Sequence, residues 1–149
     1  MMKKITKIFI VTVSLMASCS SMADWKPYKT VTLEGHLNTI PGGRVFTETT
    51  VASGVYRFRI DPDSVGIDYA AGQAGNTRSK SAALMVYDRT STADKTAAVS
   101  YYGLNGDGLQ ASAIIHAFPQ TGGFGLYLQD WQRTDNSGTV NVIIEKWQD

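Results

Sequence analysis

The chain of 149 residues predicts an all-β fold, a sandwich or barrel of short strands. Three observations lead there. Short runs rich in Val, Ile, Thr, Tyr and Phe recur along the chain. Gly, Pro, Asn or Asp punctuates the gaps between them. No stretch sustains a helical period for a useful length.

The elements follow in order. Residues 30–33 alternate as Thr-Val-Thr-Leu, and residues 44–51 are rich in β-branched side chains. Gly54 leads into residues 55–60, where Val55, Arg57 and Arg59 share one face and the two arginines mark the solvent side. Residues 82–87, Ala-Ala-Leu-Met-Val-Tyr, are apolar throughout and predict a buried central strand. Residues 96–102, 111–116, 124–128 and 140–144 complete the set. Turns fall at Pro41-Gly-Gly43, Asp61-Pro-Asp63, Asn105-Gly-Asp107-Gly108, Pro119 and Gly122-Gly123. The Asn105 turn has some likeness to a calcium loop, but a hairpin turn is the simpler expectation. Residues 66–80 form the longest apparent loop and carry Tyr69, Gln73, Asn76 and Arg78. Long loops in compact β domains are often functional.

Residues 1–23 read as a targeting segment. Lys3, Lys4 and Lys7 form a positive start, residues 8–15 are apolar, and Ser21 and Ala23 place small residues before Asp24. Cleavage is expected before Asp24, with export to the periplasm or beyond. The apolar run is too short for a membrane span. Lipidation at Cys19 is the competing outcome, although Met16 is unusual three residues before that cysteine. Residues 24–149 then form one domain, long enough for a substantial core. Cys19 is the only cysteine, so this domain has neither disulfides nor thiol chemistry. Loss of the three lysines leaves 11 basic and 13 acidic side chains, a net charge of −2. That balance, without a basic cluster, argues against nucleic-acid binding.

The richest local signal lies near the C-terminus. Asp130, Thr134, Asp135 and Asn136 place four oxygen-bearing side chains within seven residues, just before an alternating strand. Ca²⁺ takes about six to eight oxygen ligands from carboxylates, amides, carbonyls and water. The alternative is a polar hairpin turn, for which Asp, Asn, Ser and Gly also serve. His36 and His116 are too few for a zinc site, and His116 reads as a partly buried, hydrogen-bonded side chain. No Gly-x-Ser-x-Gly motif appears. Asp61 and Asp63 look like a turn around Pro62 rather than a hydrolytic carboxylate pair.

Several short matches, in order, resemble the bacterial calcium-dependent galactose-binding lectins of the galactophilic lectin PA-I type. Asp24-Trp25-Lys26 is similar to that family's Ala-Trp-Lys start. Gly43-Arg-Val45 through Gly54-Val55 is similar to its Gly-Gln-Val strand and Pro-Gly-Asp-Val turn. Ala83-Leu-Met-Val86 resembles its central Ala-Leu-Val-Met strand. Gly123 to Asp130 resembles the strand that delivers the first calcium aspartate, and Asn136-Ser-Gly138 with its following strand matches the family's Asn-Ser-Gly end.

The resemblance implies a jelly-roll-like antiparallel β-sandwich, galactose-binding-domain-like, that binds a galactose-type glycan through Ca²⁺ without chemistry. It also implies a homo-oligomer. The family's calcium ligands are an Asp, a Thr, two adjacent Asn and a distant backbone carbonyl. Asp130 and Thr134 take the first two places, Asp135 and Asn136 fall where the Asn pair lies, and the carbonyl falls near Tyr69. The spacing from Thr134 to the pair is shorter here. The family's His-Pro-x-Gln sugar segment is missing, and Gln73 or Asn76 stands in its loop. Trp131 either stacks on a sugar face or closes the core, while Trp25 and Trp147 are assigned to packing. The alternative function is an exported protein-interaction module on the same sandwich.

Overall fold

The computed structural model describes residues 23–70, 78–89 and 96–149. Ten strands account for most of them: β1 (Asp24–Glu34), β2 (Thr39–Ile40), β3 (Phe46–Val51), β4 (Gly54–Ile60), β5 (Gly66–Asp68), β6 (Ser81–Arg89), β7 (Thr96–Asn105), β8 (Ala113–Phe118), β9 (Gly122–Gln129) and β10 (Ser137–Gln148). A one-turn helix, α1 (Gly35–Asn38), separates β1 from β2.

Two sheets face each other. One runs β1-β10-β4-β8 with β5 also on β10; the other runs β2-β9-β6-β7 with β3 also on β9. All pairings are antiparallel except the short β2–β9 contact. Setting aside the short β2 and β5, the remaining strands in chain order give one sheet of first-eighth-third-sixth and another of second-seventh-fourth-fifth. That is the order of a jelly roll, in which each sheet mixes early and late strands.

Alternation explains the core. On β4, Tyr56, Phe58 and Ile60 are buried while Arg57 and Arg59 turn outward. Val140, Val142 and Ile144 on β10 point inward, as do Ala82, Leu84 and Val86 on β6 and Phe124, Leu126 and Leu128 on β9. Phe58 from one sheet meets Phe124 from the other edge-to-face, with ring centroids 5.1 Å apart. Tyr56 meets Phe118 the same way at 5.5 Å and donates its hydroxyl to Ala52 O at 3.0 Å. A buried tyrosine keeps its polar end satisfied in this manner.

The outward arginines are not simply solvated. Arg57 Nη2 and Arg59 Nε both reach Glu145 Oε2 on the neighbouring β10, at 2.8 and 3.1 Å. Arg57 also lies over the Trp25 ring, and Trp25 packs edge-to-face on Trp147 at 5.3 Å.

Several expectations need revision. The first strand starts at Asp24 rather than at residue 30. Trp25, Lys26 and Pro27 do not alternate, and the register shifts between Pro27 and Lys29. Proline is tolerated there because β1 is an edge strand. The segment expected to be one long loop contains β5, and Ile67 bridges Ser79 across it. The Asn105 turn is not a hairpin: it carries the chain from β7 in one sheet to β8 in the other. As expected, Asp61 is a turn residue, its Oδ1 accepting the Asp63 amide at 3.0 Å. His116 is largely buried and faces Asp88 at 3.4 Å.

Candidate cation and ligand site

β9 leaves one sheet at Gln129 and β10 enters the other at Ser137. The linking segment therefore crosses one end of the sandwich. It includes a single 3₁₀ turn, Arg133–Asp135, closed by Asn136 N donating to Arg133 O at 3.2 Å. Two other segments meet it there. The α1–β2 segment is joined by Asp130 N donating to Ile40 O at 3.3 Å and by Arg133 Nη1 donating to His36 O at 3.1 Å. From the other side, β5 pairs Asp68 with Ser137.

Close approach fixes the sequence at this junction. Gly138 has φ +88, and a Cβ there would lie 2.2 Å from Gly66 O. Only glycine adopts that backbone without penalty. Gly35 approaches Ser137 so closely that an added Cβ would sit 3.0 Å from its backbone.

Asn136 is the pivot. Its residue is 5% exposed. Its Nδ2 donates to Thr39 Oγ1 at 3.1 Å, and Thr39 Oγ1 in turn donates to Gly35 O at 2.6 Å. A hydroxyl has one proton to give. Because Gly35 O takes it, Thr39 must accept from Asn136, and this fixes which end of the amide faces Thr39. The other end, Oδ1, is sealed from solvent and has no hydrogen-bond partner among the described residues. The same holds for Oδ1 of Asp135, the preceding residue.

Two adjacent orphaned oxygens are unusual. Most buried polar atoms are hydrogen-bonded, and each exception calls for a physical account such as an ion. Leaving an acceptor unpaired costs about 1–3 kcal/mol, and more when the group is charged. The chemistry of the surroundings matches a hard cation. Asp130 is half-buried at the end of β9, and Thr134 lies exposed in the 3₁₀ turn. Among the described residues no three His, Cys, Asp or Glu side chains converge. Asp130, Thr134, Asp135 and Asn136 offer from one segment two carboxylates, a hydroxyl and an amide, a mixture of oxygen types that Ca²⁺ accepts.

Tyr69 follows β5 and sits half-buried near the same end. Burial raises its phenol above the usual tyrosine range; a hydrogen bond with Ser81 works against this, and the charge of Asp130 adds to it. Gln73 and Asn76 lie outside the described residues.

Trp131 does not close the core. It is 92% exposed, one residue past Asp130. With Ile40, Pro41, Gln129 and Asp130 it lines a groove of ≈ 360 Å³. The Ile40–Pro41 peptide bond is cis. Neither this wall nor the Thr39–Asn136 contact was anticipated from sequence. In comparison with known proteins, the chain matches no family model and no curated sequence.

Proposed function

We propose that this is an exported carbohydrate-binding protein that holds Ca²⁺ at the β9–β10 junction and recognises a galactose-type glycan through it. The observation that carries the proposal is the pair of buried, unpartnered oxygens on Asp135 and Asn136, in the segment that begins at Asp130. Asp130, Thr134, Asp135 and Asn136 would hold the ion, with the backbone carbonyl of Tyr69 as a further donor. A bound calcium ion would offer coordination positions that two vicinal sugar hydroxyls can take in place of water. Asp130 and Asp135 would supply most of the compensating charge. Thr39 would keep the Asn136 oxygen aimed away from its own hydroxyl.

Support comes from two further sources. The donor residues fall in the order that the resemblance to galactose-binding lectins implies, with a shorter spacing after Thr134, and the strand order is the jelly-roll sandwich that the resemblance implies. A homo-oligomer completes the proposal, because weak single sites gain avidity when several act together.

The test is thermal unfolding of the purified protein in EDTA and in millimolar CaCl₂, for wild type and Asp130→Ala. A ligand that binds only the native state raises the midpoint by mass action. Calcium should raise the wild-type midpoint and leave the variant unmoved. If wild type shows no shift, the loop is a polar turn and the protein-interaction module takes precedence. Where calcium does raise the midpoint, glycan-array binding that EDTA abolishes establishes the sugar.

A further inference from the structure

The groove beside Asp130 points to a second ligand subsite. We infer that it receives the apolar face of the ring linked to the cation-held sugar, so that the preferred ligand is a disaccharide or longer glycan. This rests on the cation-dependent sugar binding proposed above.

Three features of the groove carry the inference. First, it is continuous with the candidate cation site, because Asp130 belongs to both. A sugar anchored at the cation that extends past Asp130 meets Trp131 next. Second, the walls are apolar. Ile40, Pro41 and the Trp131 indole form them, while Gln129 supplies an amide at the rim. A pyranose ring presents the same contrast: a patch of C–H groups on one face and hydroxyls around its edge. An indole stacks on such a face while the edge hydroxyls stay hydrated or bond to an amide. Third, the space fits. Small-ligand sites commonly measure about 300–1,000 Å³, and ≈ 360 Å³ lies near the lower bound.

Trp131 gains nothing for the fold from its position. At 92% exposure it leaves a large apolar surface in water. The other two tryptophans are packed edge-to-face on each other. The wall opposite is fixed, since Ile40 O accepts the Asp130 amide. The Ile40 wall is therefore tied to the strand end that carries Asp130 before any ligand arrives.

The experiment titrates calcium alone, then sugars, into the purified protein and its Trp131→Ala and Trp131→Phe variants by isothermal calorimetry. The sugar probes are methyl α-galactoside and melibiose, and methyl β-galactoside and lactose. Tryptophan fluorescence with iodide quenching accompanies each sugar titration. Calcium affinity should be the same in all three proteins, because Trp131 donates no ligand. Calcium-loaded wild type should bind at least one disaccharide about tenfold more tightly than its methyl glycoside, the scale expected for an aromatic contact. Trp131→Ala should abolish that preference and leave the monosaccharide affinity within about twofold of wild type, while Trp131→Phe restores part of it. Iodide quenching should fall when the disaccharide binds. Equal affinity for the two sugar sizes in wild type, with calcium binding intact, overturns the subsite but not the cation. Calcium binding without affinity for any of the four sugars overturns both the galactose-type ligand and the subsite. No calcium heat in wild type overturns the cation site itself.

Discussion

Replacing Asn136 with alanine separates a ligand role from a packing role. In wild type without calcium, the Asn136 amide makes one hydrogen bond to Thr39 and leaves Oδ1 buried and unpaired. The hydrogen bond is worth about 0.5–1.5 kcal/mol and the orphaned oxygen costs about 1–3 kcal/mol. Asn136→Ala removes both, and Thr39 keeps its bond to Gly35 O. The two effects oppose, so the variant in EDTA should lie within about 1 kcal/mol of wild type. Calcium changes the comparison. At a concentration 100 times the dissociation constant, a native-state ligand adds about 2.7 kcal/mol. For a domain of this size that raises the midpoint by roughly 10 °C. Wild type should show that rise and the variant less than about a third of it, given the lost oxygen ligand. Differential scanning fluorimetry in EDTA and across a CaCl₂ series reads both quantities. An equal loss of stability in EDTA and in calcium would refute the reasoning, and would make Asn136 a bridge to Thr39 and nothing more.

Two further predictions concern the scaffold. Glu145 is 12% exposed at its side chain; burial pushes its pKa up, but hydrogen bonds from Arg59 and Arg57 outweigh this and hold it below the usual carboxylate value. A depressed carboxylate contributes stability that is present above its unfolded pKa and lost as pH falls through the folded one. Between about pH 5 and 3, wild type should therefore lose about 1 kcal/mol more than Glu145→Gln, a modest figure because both arginines are partly exposed. Urea melts across that range check it. Gly138→Ala should cost about 1–3 kcal/mol from backbone strain alone, since its φ is +88 and its Cβ would strike Gly66 O. Gly103→Ala on β7, where a Cβ meets nothing within 4 Å, is the matched control and should be nearly neutral in the same melts.

The strands were legible where side chains alternate or run apolar. The pattern of residues 55–60 placed Tyr56, Phe58 and Ile60 inside because a period of two can be read without knowing the partner strands. β5 was not legible: three residues show no period, and the strand is defined by its pairing with Ser137, Gly138 and Thr139 far along the chain. The start of β1 was hidden by Pro27 and the shift beside it. At the candidate site, the cluster from Asp130 to Asn136 stood out because its residues are neighbours in sequence. What makes Asn136 distinctive is a bond to Thr39, 97 residues away. No local pattern encodes that contact, nor the exposure of Trp131.

The pairing of the first strand with the last governs the order in which this molecule can assemble. β1 pairs with β10 from Asp24–Gln148 to Glu34–Thr139, and β10 also carries β4 and β5 on its other edge. Val31 and Leu33 therefore lack their sheet neighbours until Val142 and Val140 are in place. Contacts that span nearly the whole sequence fold slowly, because a long loop must close before they bring any stabilisation. The β4–β8 pair can form before residues 139–148 exist, but β1 cannot join the sheet without them. The junction that gathers Asp130, Asp135 and Asn136 closes in the same last step, since Ser137 opens β10.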